Sequence, residues 1–418
     1  MSTRSADARD AGRARILIIS PWETVWSLGR DEDVRAGVSD DDRFIDAFTR
    51  AGYDLHFLRP RSAKTDPRVA TSFYPNFFRA TRGLPTPLRR PLWPLLFGTV
   101  ASPRALSVAK ALGPDVVLGH SHYATFAAWL IGRRLGIPSA VKLFGVMELV
   151  HTEWPAAKYW FKNLEQIVAL KFPQDAWIVL DDGTRGGEIL RARGVAPEKI
   201  HFLPNGLNLE WLDQRPNRAA ARARFGLAPG ARVVLFLARL VPSKRPLDAL
   251  RAAAAMAGRG VPDVVFVFAG DGPLRAACER AAREMRVGER VRFLGTVPHD
   301  AVPELMAASD LFVSTSTLTN RALPTCEAMI CGIPVVAYDS GDTARVVSGE
   351  TGALVADGDV SALAGAIERL LASDAERAGM GEAARRVARA EFVSWEQRIA
   401  MEMSIVDVLA SRRARAGS

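Results

Sequence analysis

Cysteine is scarce in this chain. Its 418 residues include three, Cys278, Cys326 and Cys331, too few for a disulfide framework and suited to a reducing compartment. Cys326 and Cys331 fall in an apolar helical stretch with no second Cys/His pair at ligand spacing, so they read as small core residues and no metal is expected. No apolar run approaches the roughly 20 residues that a membrane span requires. The first segment, "MSTRSADARDAGRAR", has no apolar centre, so it does not read as a secretory signal, and residues 1–14 are expected to form a disordered leader. The pattern G-x-x-x-x-G-K-[S/T] is missing, which excludes a P-loop protein. "FAGDG" (268–272) fails the dinucleotide pattern because Arg275 replaces its third glycine. No nucleic-acid motif accompanies the net charge of +9, so nucleic acid is not an expected partner.

What is present is an ordinary globular composition, 48% hydrophobic and 24% charged, at a length that implies two domains. Short β-rich runs alternate with helical patterns: "RILIIS" (15–20), a helix from Asp40 to Ala51, "YDLHFL" (53–58), "DVVLGH" (115–120), "PSAVKLFG" (138–145) and "AWIVLDD" (176–182). A second set begins at "RVVLFLARL" (232–240) and continues through "DVVFVFAGDG" (263–272), "RVRFLG" (290–295) and "DLFVST" (310–315). This alternation predicts an α/β chain of two doubly wound, parallel-sheet domains, with the break near "NGLNLEWLDQRPN" (205–217).

Ligands of such folds meet the carboxyl ends of the strands. There, Arg239 and Lys244 flank a turn and suit a diphosphate. Gly37, just before the candidate helix cap Ser39, lets a ligand approach the backbone. Glu327 is a lone acid in a helix expected over 324–331.

In order along the chain stand "PNGLN" (204–208), "ARLVPSK" (238–244), "AGDGPLR" (269–275), "VRFLGTV" (291–297), "CEAMICGIPVVAYDSG" (326–341) and "GETGALV" (349–355). This series resembles the retaining, nucleotide-sugar-dependent glycosyltransferases of family 4, which have the GT-B fold. The resemblance covers the C-terminal half closely and the N-terminal half more loosely, through "RILIISP", "AGVSDDDRFIDAFTRAGYDLHFL" and "DVVLGHSH". It implies an acceptor-binding domain over 15–205, joined by a C-terminal helix at 390–412, and a donor-binding domain over 206–389. It implies no cofactor, the nucleotide-diphosphate sugar being a substrate.

By the resemblance, Glu327 hydrogen-bonds the ribose hydroxyls and Arg239 and Lys244 hold the diphosphate, stabilising the charge that builds on the leaving group. The base is expected beside Thr296 and Val297. Thr319 stands where the family usually has a first glutamate, and Asn320-Arg321-Ala322 replaces its usual G-F-G. Thr319 or Asn320 is then left to hold the sugar, with Arg321 and the backbone of Ala322 and Leu323 near the phosphates. Phe144-Gly145 replaces the family's histidine-glycine pair. His120 and His122 in "GHSHY" end the preceding strand; His120 is expected to serve the reaction, and His122 to lie with Phe144 and Gly145 on the acceptor side.

The acceptor is less legible. The segment 73–98, "FYPNFFRATRGLPTPLRRPLWPLLFG", mixes aromatics, arginines and prolines; it reads either as a proline-rich loop packing its aromatics on the domain or as rings dipping into a bilayer interface while arginines meet lipid phosphates. It favours a lipid-linked or cell-envelope acceptor over a soluble natural product, and a cytoplasmic enzyme peripheral to the inner face of the membrane. Two rivals stand: a silent nucleotide-sugar-binding partner subunit, motivated by Thr319 and Phe144, and a GT-B epimerase.

Overall fold

The computed structural model describes residues 13–21, 40–61, 63, 65–146, 155–181, 185–317, 323–341 and 343–416. The chain divides into two compact units: of the described residues, the first holds 13–21 and those from 40 to 204 with those from 396 to 416, the second those from 205 to 395. Gly37, Thr319, Asn320, Arg321 and Ala322, and most of the leader, lie outside the described residues.

The first unit holds a seven-stranded sheet in the order β3-β2-β1-β4-β5-β6-β7. Its strands are β1 (Arg15–Ile19), β2 (Asp54–Pro60), β3 (Ala70–Tyr74), β4 (Val116–His120), β5 (Ser139–Leu143), β6 (Ala176–Leu180) and β7 (Ile200–Leu203). Pairing is parallel throughout, with Ile18 opposite Phe57 on one side and Leu118 on the other. Side chains alternate across the sheet, as the two-residue period of a strand requires. Leu17, Ile19 and Val117 enter the core on one face, and Ile16, Ile18, Val116 and Leu118 the core on the other. Helices cover both faces, which is why these central strands read as unbroken apolar runs.

Helix α1 (Asp40–Arg50) sets Phe44, Ile45 and Phe48 against the second face. The segment 73–98 is largely helical and packs its aromatics on the domain. It contains the end of β3, the short helix Phe77–Ala80, helix α2 (Thr86–Leu96) and the start of a π-helical turn at Phe97–Ala101. Its rings point inward: Tyr74, Phe77 and Phe97 are buried, Phe77 meets Phe97 edge-on at 6.1 Å, and Phe78 meets Trp93 at 5.5 Å. Burying such rings is worth more than exposing them at the surface. Helix α3 (Ala156–Ala169) follows β5.

The second unit holds a six-stranded parallel sheet in the order β10-β9-β8-β11-β12-β13. These are β8 (Arg232–Leu237), β9 (Val264–Ala269), β10 (Val291–Gly295), β11 (Leu311–Ser314), β12 (Val335–Asp339) and β13 (Gly352–Ala356). Val233 and Leu235 face one core and Val234 and Phe236 the other. Helix α4 (Leu323–Ile330) buries Cys326, Ala328, Met329 and Ile330 between β11 and β12 in sequence. The cysteines pack as core residues: Cys326 and Cys278 are fully buried, and burial pushes the Cys278 thiol up to about 11 and the Cys331 thiol up to about 12.

The chain enters the second unit beside the segment that leaves it. Leu207 N–H donates to the carbonyl of Val393, and a Cβ on Gly206 would lie 2.6 Å from the ring of Trp395, so only glycine fits there. Helix α5 (Trp395–Ala416) then returns to the first unit, where Ile399, Val406 and Leu409 join the α1 face. On the same helix, Glu402 is fully buried, and both its oxygens lie 3.1 Å from Lys142 Nζ on β5. Arg398, one turn earlier, is 3.5 Å from Glu402. Among the described residues no helix is long and apolar enough to cross a membrane.

Candidate functional site

In each sheet the strand order reverses once, and in open α/β sheets ligands bind outside the carboxyl ends of the strands at that switch point. In the second unit it lies between β8 and β11. The loops leaving these strands are joined: Thr315 Oγ1 donates to the carbonyls of Lys244 and Arg245 at 2.8 and 2.9 Å, and Thr317 N–H to that of Ser243 at 3.0 Å. The neighbouring loop closes from the other side. Gly270 has φ +132°, and a Cβ there would stand 2.1 Å from the carbonyl oxygen of Ala238. The glycines of "AGDG" therefore serve a close approach of two loops.

Three cations project from the β8 loop, and the structure separates their roles. Arg245 is anchored by Asp357 at 2.6 Å and Asp248 at 3.3 Å, above the ring of Tyr338. Arg239 is exposed and Lys244 partly buried, and among the described residues neither has an ion-pair partner. Burial, and then the charge of Arg239, hold the Lys244 ammonium below the ordinary lysine range. Among the described residues these two cations at the switch point have no counter-charge, an arrangement that could receive an anion.

Glu327 is the fifth residue of α4 and is 8% exposed. Its Oε1 lies 3.0 Å from Nε2 of His299. The imidazole stacks on Trp211 with ring centres 4.9 Å apart, and its Nε2 lies 3.5 Å from Asn208 Nδ2. A buried acid is thus fixed by a histidine that is itself held in place. His299 follows Thr296 and Val297 by a few residues in the loop after β10; Thr296 is exposed and Val297 packs on the core. Leu323 opens α4 and is 37% exposed. The sequence reading missed His299, whose only signal was its place in a strand-end loop.

In the first unit the reversal lies between β1 and β4. Directly after β4, Ser121 has φ 74° and ψ 159°, a region nearly reserved for glycine that costs roughly 1–3 kcal/mol. Ser121 N–H donates to the Lys142 carbonyl at 2.8 Å, which holds the residue there. His122 follows, with Nδ1 3.3 Å from Ser121 Oγ and Nε2 3.8 Å from Glu165 Oε1. Tyr123 stacks on His122 at 4.2 Å and donates its hydroxyl to the same glutamate oxygen at 3.2 Å. Glu165, on α3, falls in the aromatic-basic stretch 151–166 that the sequence suggests as a border of the acceptor pocket, but neither it nor Tyr123 is singled out there.

His120 is fully buried, with the ring centres of Phe44, Phe57 and Phe144 at 6.3, 6.5 and 5.7 Å from its own. The reason is local. His120 ends a central strand buried along its whole length, and the rings of α1 and β2 close over it. Phe144 belongs to this enclosure, and the Gly145 carbonyl accepts a hydrogen bond from Gln166 Nε2 at 3.3 Å.

Two doubly wound units, each with polar or charged groups gathered at its switch point, define the GT-B class of architecture. The comparisons agree with that class. Residues 217–387 match the family model "Glycosyl transferases group 1", and residues 42–211 match "Glycosyltransferase Family 4". The chain is 32% identical over 297 residues to the D-inositol 3-phosphate glycosyltransferase of Rhodococcus opacus (strain B4), across 67% of this chain and 64% of that protein. It is 33% identical over 223 residues to the GDP-mannose-dependent alpha-(1-6)-phosphatidylinositol monomannoside mannosyltransferase of Mycolicibacterium smegmatis, across 51% and 57%. The match thus spans under two thirds of each relative. Among solved structures, sucrose-phosphate synthase from Thermosynechococcus elongatus superposes with a TM-score of 0.68 over 97% of this chain and 100% of its own, at 22% identity, which is a likeness of fold. The chain belongs to the glycosyltransferases of the family 4 type.

Proposed function

We propose that this protein transfers a sugar from a nucleotide-diphosphate sugar to a hydroxyl acceptor, with retention and without a metal. The observation that carries the reading is that one unit holds both the Arg239 and Lys244 cations at its switch point and the Glu327 carboxylate fixed by His299. The two cations would take the diphosphate and the acid the ribose hydroxyls, with His299 orienting the carboxylate. With Oε1 engaged by His299, Oε2 is the oxygen left for a ribose hydroxyl.

The chemistry follows from the charges. The bond between the sugar's anomeric carbon and the diphosphate oxygen breaks, and its electron pair leaves with the phosphate. The acceptor oxygen bonds the same face of that carbon, and its proton passes to the departing phosphate oxygen. Arg239 and Lys244 stabilise the charge on that oxygen most when it is largest, which lowers the barrier. In the first unit, His122 and Glu165 would position the acceptor hydroxyl. We propose an acceptor among glycolipid or cell-envelope precursors, on the strength of relatives named for inositol phosphate and for a phosphatidylinositol mannoside. The enzyme would then work on the cytoplasmic side, peripheral to the membrane.

Calorimetry with UDP, GDP, ADP and dTDP tests the donor half. One nucleotide should bind, and Glu327→Ala should weaken it by roughly 10- to 100-fold, the worth of a charge-assisted hydrogen bond. His299→Ala should cause a smaller loss in the same direction. Absence of binding by all four, with the variants indistinguishable from the parent, would leave a shared fold without the activity.

A further inference from the structure

Helix α3 is built inside out. Its inward side carries Asn163 and Gln166, 3% and 8% exposed, beside Ile167. Its outward side carries Trp160, Phe161, Leu164 and Val168, each between 46% and 54% exposed. Trp160, Leu164 and Val168 are spaced i, i+4, i+8 and so form one continuous stripe. A surface helix of a soluble protein ordinarily shows the opposite pattern. The stripe also forms one wall of a groove of about 870 Å³, whose other wall comes from the segments leading into β6 and β7. Three cations line the groove, Lys171, Arg193 and Lys199, and among the described residues no acid lines it. Two are steadied by carbonyls: Arg193 Nη1 donates to that of Ile167 at 2.8 Å, and Lys199 Nζ to that of Gln174 at 3.5 Å.

The groove lies at the amino ends of β6 and β7, since its lining residues Gln174 and Lys199 come just before those strands. It is therefore at the opposite end of the sheet from Ser121 and His122. Apolar exposure continues on α2, where Leu88 and Leu95 are 58% and 59% exposed. The two helices share a neighbour: Trp93 of α2 packs on Tyr123, whose hydroxyl bonds Glu165 of α3.

We propose that the outward face of α3, with its cation-lined groove, is a docking surface for an anionic phospholipid bilayer. Trp160, Leu164 and Val168 enter the boundary between headgroups and acyl chains, and Lys171, Arg193 and Lys199 meet lipid phosphates. Charge selects this occupant. A second copy of the chain would set the same cations against one another, whereas an anionic lipid supplies both an apolar chain for the stripe and an acidic headgroup for the cations. The inward packing of the aromatic rings of 73–98 places this role on α3, and the surface does not depend on which sugar or acceptor the enzyme uses.

The test is co-sedimentation of the full chain with vesicles of phosphatidylcholine alone and with 3:7 phosphatidylglycerol:phosphatidylcholine. Binding to the mixed vesicles should be about 100-fold stronger, as three cations near an anionic surface predict, and should fall with added salt. Leu164→Glu, and separately the double variant Lys171→Glu/Lys199→Glu, should each lower it by about ten-fold or more while the thermal melt stays unchanged. Brominated phosphatidylglycerol should quench fluorescence in the parent that is lost in Trp160→Phe. Equal binding to both vesicle types, or binding that both variants retain, overturns the proposal. So does a concentration-dependent dimer in sedimentation velocity that Leu164→Glu dissolves, which would make a second copy the occupant.

Discussion

At Lys244 two physical effects act in the same direction: burial first, and the nearby Arg239 second, both disfavour the ammonium. The folded value lies below the ordinary lysine value, so the native state loses its proton first and the unliganded protein gains stability as pH rises between the two. The charge that is costly to the empty protein is the one a diphosphate needs. Affinity for the preferred nucleoside diphosphate should therefore be full below the depressed value and decline as pH rises through it. Lys244→Met should weaken binding near neutrality by roughly 10- to 100-fold, flatten the alkaline decline, and raise the melting temperature of the unliganded protein. Calorimetry at neutral and alkaline pH checks this; a decline that persists in the variant would belong to another group. Arg239, Lys244 and Glu327 were legible because their positions lie in ordered motifs. His299 and Glu165 were not, since each acts through a contact far along the chain, 28 residues away for the first and 42 for its bond with Tyr123.

The element that most constrains the first unit's switch point is the turn leaving β4. Ser121 occupies backbone space where a Cβ is unwelcome, and the turn survives because β5 and His122 hold it. Ser121→Gly should relieve the strain and stabilise the protein by about 1 kcal/mol, read from urea unfolding. It should also loosen the direction of His122 and slow transfer to the acceptor. A variant no more stable than the parent would show that the turn stores no strain. The strain has no trace in the sequence, where Ser121 is one polar residue between two histidines. Helix α2 illustrates a different kind of loss. Pro87 suits a first turn, but Pro91 and Pro94 oppose a helix interior, and the segment reads as a loop until the packing of Trp93 and Phe97 outweighs propensity. By contrast, strands such as β8 and β9 were readable because both their faces are buried, which leaves an apolar run bounded by turns.

For the molecule as a whole, the Lys142–Glu402–Arg398 group ties the last helix to the first unit. Removing one charge leaves its partner buried without a counter-ion, so Glu402→Leu should cost about 3–5 kcal/mol. The double variant Lys142→Met/Glu402→Leu should recover part of that loss in urea melts, because packed apolar side chains need no compensation. Additive losses in the double variant would mean that the two residues act independently. A C-terminal helix returning to the first unit was implied by family resemblance. That it carries a buried glutamate for a lysine on β5 was hidden in a helix whose sequence, "WEQRIAMEMSIVDVLASRRARA", shows many charges and no sign of which one is enclosed. The pair spans 260 residues. On the ribosome, at roughly 5–20 residues per second, Lys142 would wait about 15–50 s for its counter-charge. The second unit is wholly translated in that interval. Biosynthesis should therefore complete the first unit only after the second.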